Sequence, residues 1–90
     1  MASRKAWKKF RAMQETQAGW HSHDFQTLFE GFGFRMKEGK KHTTYRHEKL
    51  TTLEDQLIPR HPRELGSAYA FDAIKVIQKL IDLTGEKEDD

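Results

Sequence analysis

The segment from Ala70 to Ile81 sets the strongest limit on the architecture. Ala70, Ala73, Ile74, Ile77, Leu80 and Ile81 recur at the 3.6-residue spacing of an amphipathic α-helix, Ser67 is placed to cap it, and Gly85 to stop it. A stripe this wide has to be buried, and a chain of 90 residues offers little to bury it against. The cover is to be sought in the stretch before it, where the periodicity changes.

Phe34-Arg35-Met36-Lys37 alternates apolar and basic residues, Gly39-Lys40-Lys41 marks a turn, and His42-Thr43-Thr44-Tyr45-Arg46-His47 is rich in β-formers with no helical stripe. These residues predict a hairpin. Leu50 to Asp55 reads as a polar connection, and Gln56-Leu57-Ile58 as a brief third strand that Pro59 ends. Upstream, Ser22 is a candidate N-cap with Asp24 in the first turn. Phe25, Leu28, Phe29 and Phe32 follow on one helical face, and Gly33 supplies the stop. Helix, three strands, helix is an α+β order: a small three-stranded antiparallel sheet with both helices on one face and the other face open to a ligand.

A further helix is expected at the start, capped by Ser3, with Ala6, Phe10 and Met13 at helical spacing and Arg4, Lys5, Lys8, Lys9 and Arg11 over the remaining surface. Gln14 to Gly19, small and polar, reads as a linker. The expected division is therefore a basic helix and linker over 1–19, a core domain over 20–84, and an acidic tail over 85–90 holding Glu86, Glu88, Asp89 and Asp90 against Lys87.

The absence of cysteine excludes a disulfide framework, a thiolate nucleophile and Cys-ligated zinc. No apolar run approaches a membrane span or a signal-peptide core, so a cytoplasmic protein with no membrane association is expected. Five histidines invite a zinc reading. However, no two stand at the i, i+4 spacing of a helical pair, no carboxylate motif completes a set, and His21 and His23 flank a cap, so neither metal nor cofactor is expected. Trp7, Phe10 and Trp20 read as parts of a hydrophobic seam rather than as base-stacking platforms.

The charge is segregated. Arg35 to Lys49 holds six Lys or Arg (Arg35, Lys37, Lys40, Lys41, Arg46, Lys49) against Glu38 and Glu48. Such an excess attracts phosphates, although on most small domains it is merely a solvated face.

Three short pieces in order carry a resemblance: Phe32-Gly33-Phe34 where a helix gives way to a strand, Gly39-Lys40-Lys41-His42 at the hairpin turn, and Pro59-Arg60-His61 after the third strand. With the α-β-β-β-α order and the final amphipathic helix, the segment from Trp20 to Leu83 resembles the HicA family of mRNA interferase toxins, whose fold is similar to a double-stranded-RNA-binding domain. Ser3 to Met13 looks like the basic extension found on a subset of that family. The resemblance implies a metal-independent endoribonuclease acting on mRNA, with His42 as its catalytic residue and a HicB-type antitoxin as its protein partner. Lys40 stands where the family has Ser or Thr.

RNA is cleaved when its 2′-hydroxyl attacks the adjacent phosphate, and an imidazole titrating near neutrality is suited to removing that proton. Fixed cations must then meet the charge that develops on phosphorus. Lys40 and Lys41 in the turn are candidates, as is Arg46, four residues beyond His42 and so on the same strand face. Arg60 is a further candidate contact to phosphate. His61 reads as filling the turn or supporting the site, and His47, on the opposite face from His42, as structural or exposed. Two other readings compete: a catalytically inert RNA-binding module of the same fold, and a protein-interaction adaptor that docks through Ala6, Phe10 and Met13.

Overall fold

In the computed structural model, which describes residues 2–52 and 55–88, the chain runs α1 (Arg4–Glu15), α2 (Ser22–Gly31), β1 (Arg35–Glu38), β2 (His42–Arg46), β3 (Gln56–Pro59) and α3 (Ser67–Thr84). The α+β class, the element order and the antiparallel three-stranded sheet follow the sequence expectation. The strands lie in the order β1-β2-β3. Arg35 pairs with Arg46 at one end of the hairpin and Glu38 with Thr43 at the other, while β3 sets Pro59 beside His42 and Gln56 beside Tyr45.

The helix boundaries have local causes. The Ser3 hydroxyl accepts a hydrogen bond from the Ala6 N–H at 3.1 Å, the expected cap of α1. Gly33, at φ +89°, turns the chain out of the second helical segment, and Gly85, at φ +69°, closes α3 in the left-handed region. The other two caps fall one position earlier than expected. His21 caps α2, its N–H donating to the Asp24 carboxylate at 2.9 Å, and Gly66 rather than Ser67 stands at the cap of α3.

One core joins all the layers. Phe25, Leu28 and Phe29 of α2, Ala73, Ile77 and Leu80 of α3, and Tyr45 and Ile58 of the sheet are buried together, with the Phe29 ring stacked on Tyr45 at 4.8 Å. Contrary to the expected division, α1 is no detachable extension. Its Ala6, Trp7, Phe10 and Met13 belong to the same core, and Trp7 meets Phe32 edge-on at 5.1 Å. Burying each large side chain contributes about 1.5–3 kcal/mol, which makes α1 a structural element. Its approach to α2 is so close that a Cβ on Gly31 would overlap Ala6 and the Ser3 hydroxyl, and the Ser3 N–H donates to the Gly31 carbonyl at 3.1 Å. An adaptor docking through Ala6, Phe10 and Met13 is thereby removed, because this chain already covers them.

The stretch expected as a linker is a tight reversal. The Gln17 amide donates to the Met13 and Gln14 carbonyls, the Trp20 indole N–H donates to the Thr16 carbonyl at 2.8 Å, and Gly19 takes φ +88°. The acidic tail also folds back: Glu88 pairs with Arg11 at 2.8 Å, and Glu86 accepts the Ala2 N–H. Asp89 and Asp90 lie outside the described residues. No helix among the described residues is long and apolar enough to cross a membrane.

Thr43, Tyr45 and Ile58 face the helices, and strand alternation therefore turns Arg35, Lys37, His42, Arg46 and Leu57 to the opposite face, where all five are exposed. The sheet thus has the open face that the patterning predicts.

Candidate nucleic-acid interface

The β1–β2 turn closes when the Gly39 N–H donates to the His42 carbonyl at 2.8 Å. That approach requires glycine, since a Cβ at residue 39 would lie 2.9 Å from the same oxygen. Lys40 and Lys41 occupy the turn, and His42 begins β2 directly after them.

Arg60, just past β3, ties this turn to the neighbouring strand. Its backbone N–H donates to the Lys41 carbonyl at 2.9 Å, its guanidinium donates to the Gly39 carbonyl, and it lies 3.8 Å from the Glu38 carboxylate. The position of the His42 backbone is therefore fixed from both sides, by Gly39 and by the Pro59–Arg60 strand end.

These residues enclose a shallow concavity of about 530 Å³ lined by Lys40, Lys41, His42, Pro59, Arg60 and His61. All of them but Pro59 are exposed, and among the described residues neither imidazole ring has a hydrogen-bond partner. Four of the five residues expected to form the site, Lys40, Lys41, His42 and Arg60, thus come together. Arg60 plays a double part, since its guanidinium holds the turn while bordering the concavity.

Arg46 does not join them. It shares the open face with His42, but four residues of extended chain separate the two by roughly 13 Å, and its guanidinium is paired with Asp55 at 2.8 Å. His47 is half-buried as a structural residue, with its ring edge against Phe34 at 5.1 Å and Nδ1 accepting the Lys49 N–H. His21 at the cap of α2 and His23 in its first turn are exposed, and among the described residues no group of three His, Asp or Glu is arranged to hold a metal ion.

A second depression of about 510 Å³ lies between the helix layer and the β2–β3 connection, bordered by His47, Glu48, Lys49 and Glu86. Its two carboxylates oppose its single lysine, so an anionic ligand is drawn to the turn concavity instead. Beneath the sheet, burial and then the nearby Glu30 and Glu38 push the Tyr45 phenol up to about 12, which leaves it neutral and without a part in proton transfer near neutrality.

The residue that sequence reasoning set aside is His61. One signal pointed to it: counted along the chain, His61 stands two residues beyond Pro59, so an extended path returns its side chain to the face that Pro59 occupies. What the sequence lacked was the register that lays Pro59 against His42.

Comparison of the chain with protein-family models, with curated proteins and with solved structures finds no match.

Proposed function

We propose that the chain is a cytoplasmic, metal-independent endoribonuclease that cleaves mRNA with His42. In this reading it is the toxin of a type II toxin-antitoxin pair, silenced by a HicB-type antitoxin that covers the open sheet face. The observation that carries the proposal is the convergence of Lys40, Lys41 and Arg60 on an exposed His42 whose ring has no hydrogen-bond partner among the described residues, in one concavity at the end of the exposed sheet face. The order of motifs shared with the HicA family adds the substrate and the partner.

The chemistry follows from these groups. Lys40 and Lys41 draw an RNA phosphate into the concavity, and Arg60 borders it. His42 takes the proton of the 2′-hydroxyl, whose oxygen bonds to phosphorus as the bond from phosphorus to the 5′-oxygen breaks and that oxygen leaves, protonated, as a 5′-hydroxyl; the cations meet the negative charge that grows on the phosphoryl oxygens. Lys40 replaces the family's Ser or Thr with an ammonium, which strengthens phosphate binding; the turn it occupies is held by Gly39 and Arg60 without a hydroxyl.

The test is cleavage of a mixed-sequence RNA by wild type and His42→Ala in excess EDTA. Wild type should cleave, and the variant should be slower by about 10²–10⁴-fold with RNA affinity nearly unchanged, the usual loss for a general base. RNA binding without cleavage by the wild type would assign the inert RNA-binding module instead.

A further inference from the structure

We infer that His61 is a second catalytic residue of this concavity, the acid that protonates the 5′-oxygen leaving phosphorus while His42 acts as the base. The inference rests on the ribonuclease reading above and adds the group that completes its proton balance.

The placement comes from the ladder between β2 and β3. His42 stands opposite Pro59, and the bond from the Arg60 N–H to the Lys41 carbonyl, at 2.9 Å, continues the same register one pair beyond the strand. Two residues beyond Pro59 on an extended path, His61 returns to the face that Pro59 shares with His42, diagonal to His42. Diagonal neighbours across a strand pair have Cα atoms about 7–8 Å apart, within mutual reach of two aromatic side chains. Pro62 enforces that path, because the residue before a proline is held in extended conformations. Both residues line the one concavity, in keeping with this geometry.

His61 has no evident structural task. Its side chain is exposed, it has no hydrogen-bond partner among the described residues, and it is absent from the core. The charged groups around the two rings are Lys40 and Lys41 from the turn and Arg60 from the end of β3, with Glu38 of β1 facing Arg60. An anion seated between the rings would be held by the lysines, while both imidazoles keep a free nitrogen for a proton.

In-line substitution at phosphorus places the attacking and leaving oxygens on opposite sides. One neutral imidazole accepts the 2′-hydroxyl proton as the 2′-oxygen bonds to phosphorus. A second, cationic imidazole gives its proton to the 5′-oxygen as the phosphorus–oxygen bond breaks. The products are a 2′,3′-cyclic phosphate and a free 5′-hydroxyl. The step leaves His42 protonated and His61 neutral, and exchange with water resets both.

The experiment uses full-length wild type, His61→Ala, His61→Gln and His42→Ala on an oligoribonucleotide with one scissile linkage, prepared with either a 5′-oxygen or a 5′-bridging sulfur. A thiolate departs without being protonated, so the sulfur substrate bypasses an acid and leaves the need for a base. On the oxygen linkage, both His61 variants should be slower by about 10²-fold or more, the lower range for loss of a general acid. On the sulfur linkage they should return to within about tenfold of wild type, while His42→Ala stays slow on both. His61 variants as fast as wild type on oxygen, or equally slow on both linkages, would overturn the acid role and leave the ribonuclease reading intact. A wild type that cleaves neither linkage would overturn both.

Discussion

Helix α1 and the β1–β2 turn are the two regions where cations crowd, and they use them differently. In α1, Arg4, Lys5, Lys8, Lys9 and Arg11 surround a face whose other side is core. Lys9 is engaged by Asp24 at 2.8 Å and lies 5.3 Å from the centre of the Trp20 ring, and Arg11 is engaged by Glu88. In the turn, Lys40 and Lys41 back onto no core and have no carboxylate partner among the described residues, and the one nearby acid, Glu38, faces Arg60. A similar density of charge therefore secures a helix in one place and leaves a field for a ligand in the other. What stands behind a cation decides which.

The largest test of this contrast is Phe10→Ala. Phe10 is buried against Trp7 and Phe32 at ring distances of 6.0 Å each, so its removal should cost ~3–5 kcal/mol of stability in urea unfolding. RNA cleavage by the fraction still folded should be unchanged. A stability loss below 1 kcal/mol would return α1 to the status of an appendage.

Next in size is the salt dependence of RNA binding. Replacing Lys40 and Lys41 together by Ala should reduce the slope of log K against log salt by about 1.4, or ~0.7 for each phosphate contact to a single strand. Replacing Lys5 and Lys8, both exposed on α1, should leave the slope nearly unchanged. Equal effects from the two pairs would break the comparison and extend the RNA track over α1.

The smallest effect concerns the tie between α1 and α2. Burial pushes the Asp24 carboxyl up, but the Lys9 ammonium and the His21 N–H outweigh it and hold it below its ordinary value. A carboxylate with a lowered native pKa contributes stability that is present above its unfolded value, near pH 4, and lost as the pH falls through the native one. Asp24→Asn should therefore cost under ~1 kcal/mol at neutral pH, and less at pH 2, in thermal or urea unfolding. A variant equally destabilised at both pH values would show that the ion pair is not the source.

Much of this could be read from the residues. The stripe from Ala70 to Ile81, the alternation around Met36 and Tyr45, the Ser3 cap and the glycine stops are local signals, and each produced the expected element. The place of α1 was harder to read because Gln14 to Gly19 has the composition of a loose linker, whereas its polar groups serve the reversal itself. Trp7 reads from the sequence as part of a hydrophobic seam, and only when it is added to Ala6, Phe10 and Met13 is the apolar face wide enough for a core helix. The site divided in the same way. Lys40, Lys41 and His42 are contiguous and legible, but the nearness of Arg60 and His61 depends on a strand register that no local pattern encodes, and the loss of Arg46 depends on Asp55.

Pro59 has a consequence beyond lining the concavity. Because the Arg60 N–H pairs with the Lys41 carbonyl, the alternation of an antiparallel ladder turns the backbone groups of Leu57 and Pro59 away from β2, toward the free edge of the sheet. That edge adjoins an exposed Leu57 and an uncovered face, the combination that invites one copy to add its strand to another. Proline brings no N–H to such a pairing, so Leu57 offers the one outward amide donor of the Leu57–Pro59 pair. The residue that lines the concavity beside His42 thus also leaves the outer edge of β3 one donor short for pairing with another strand.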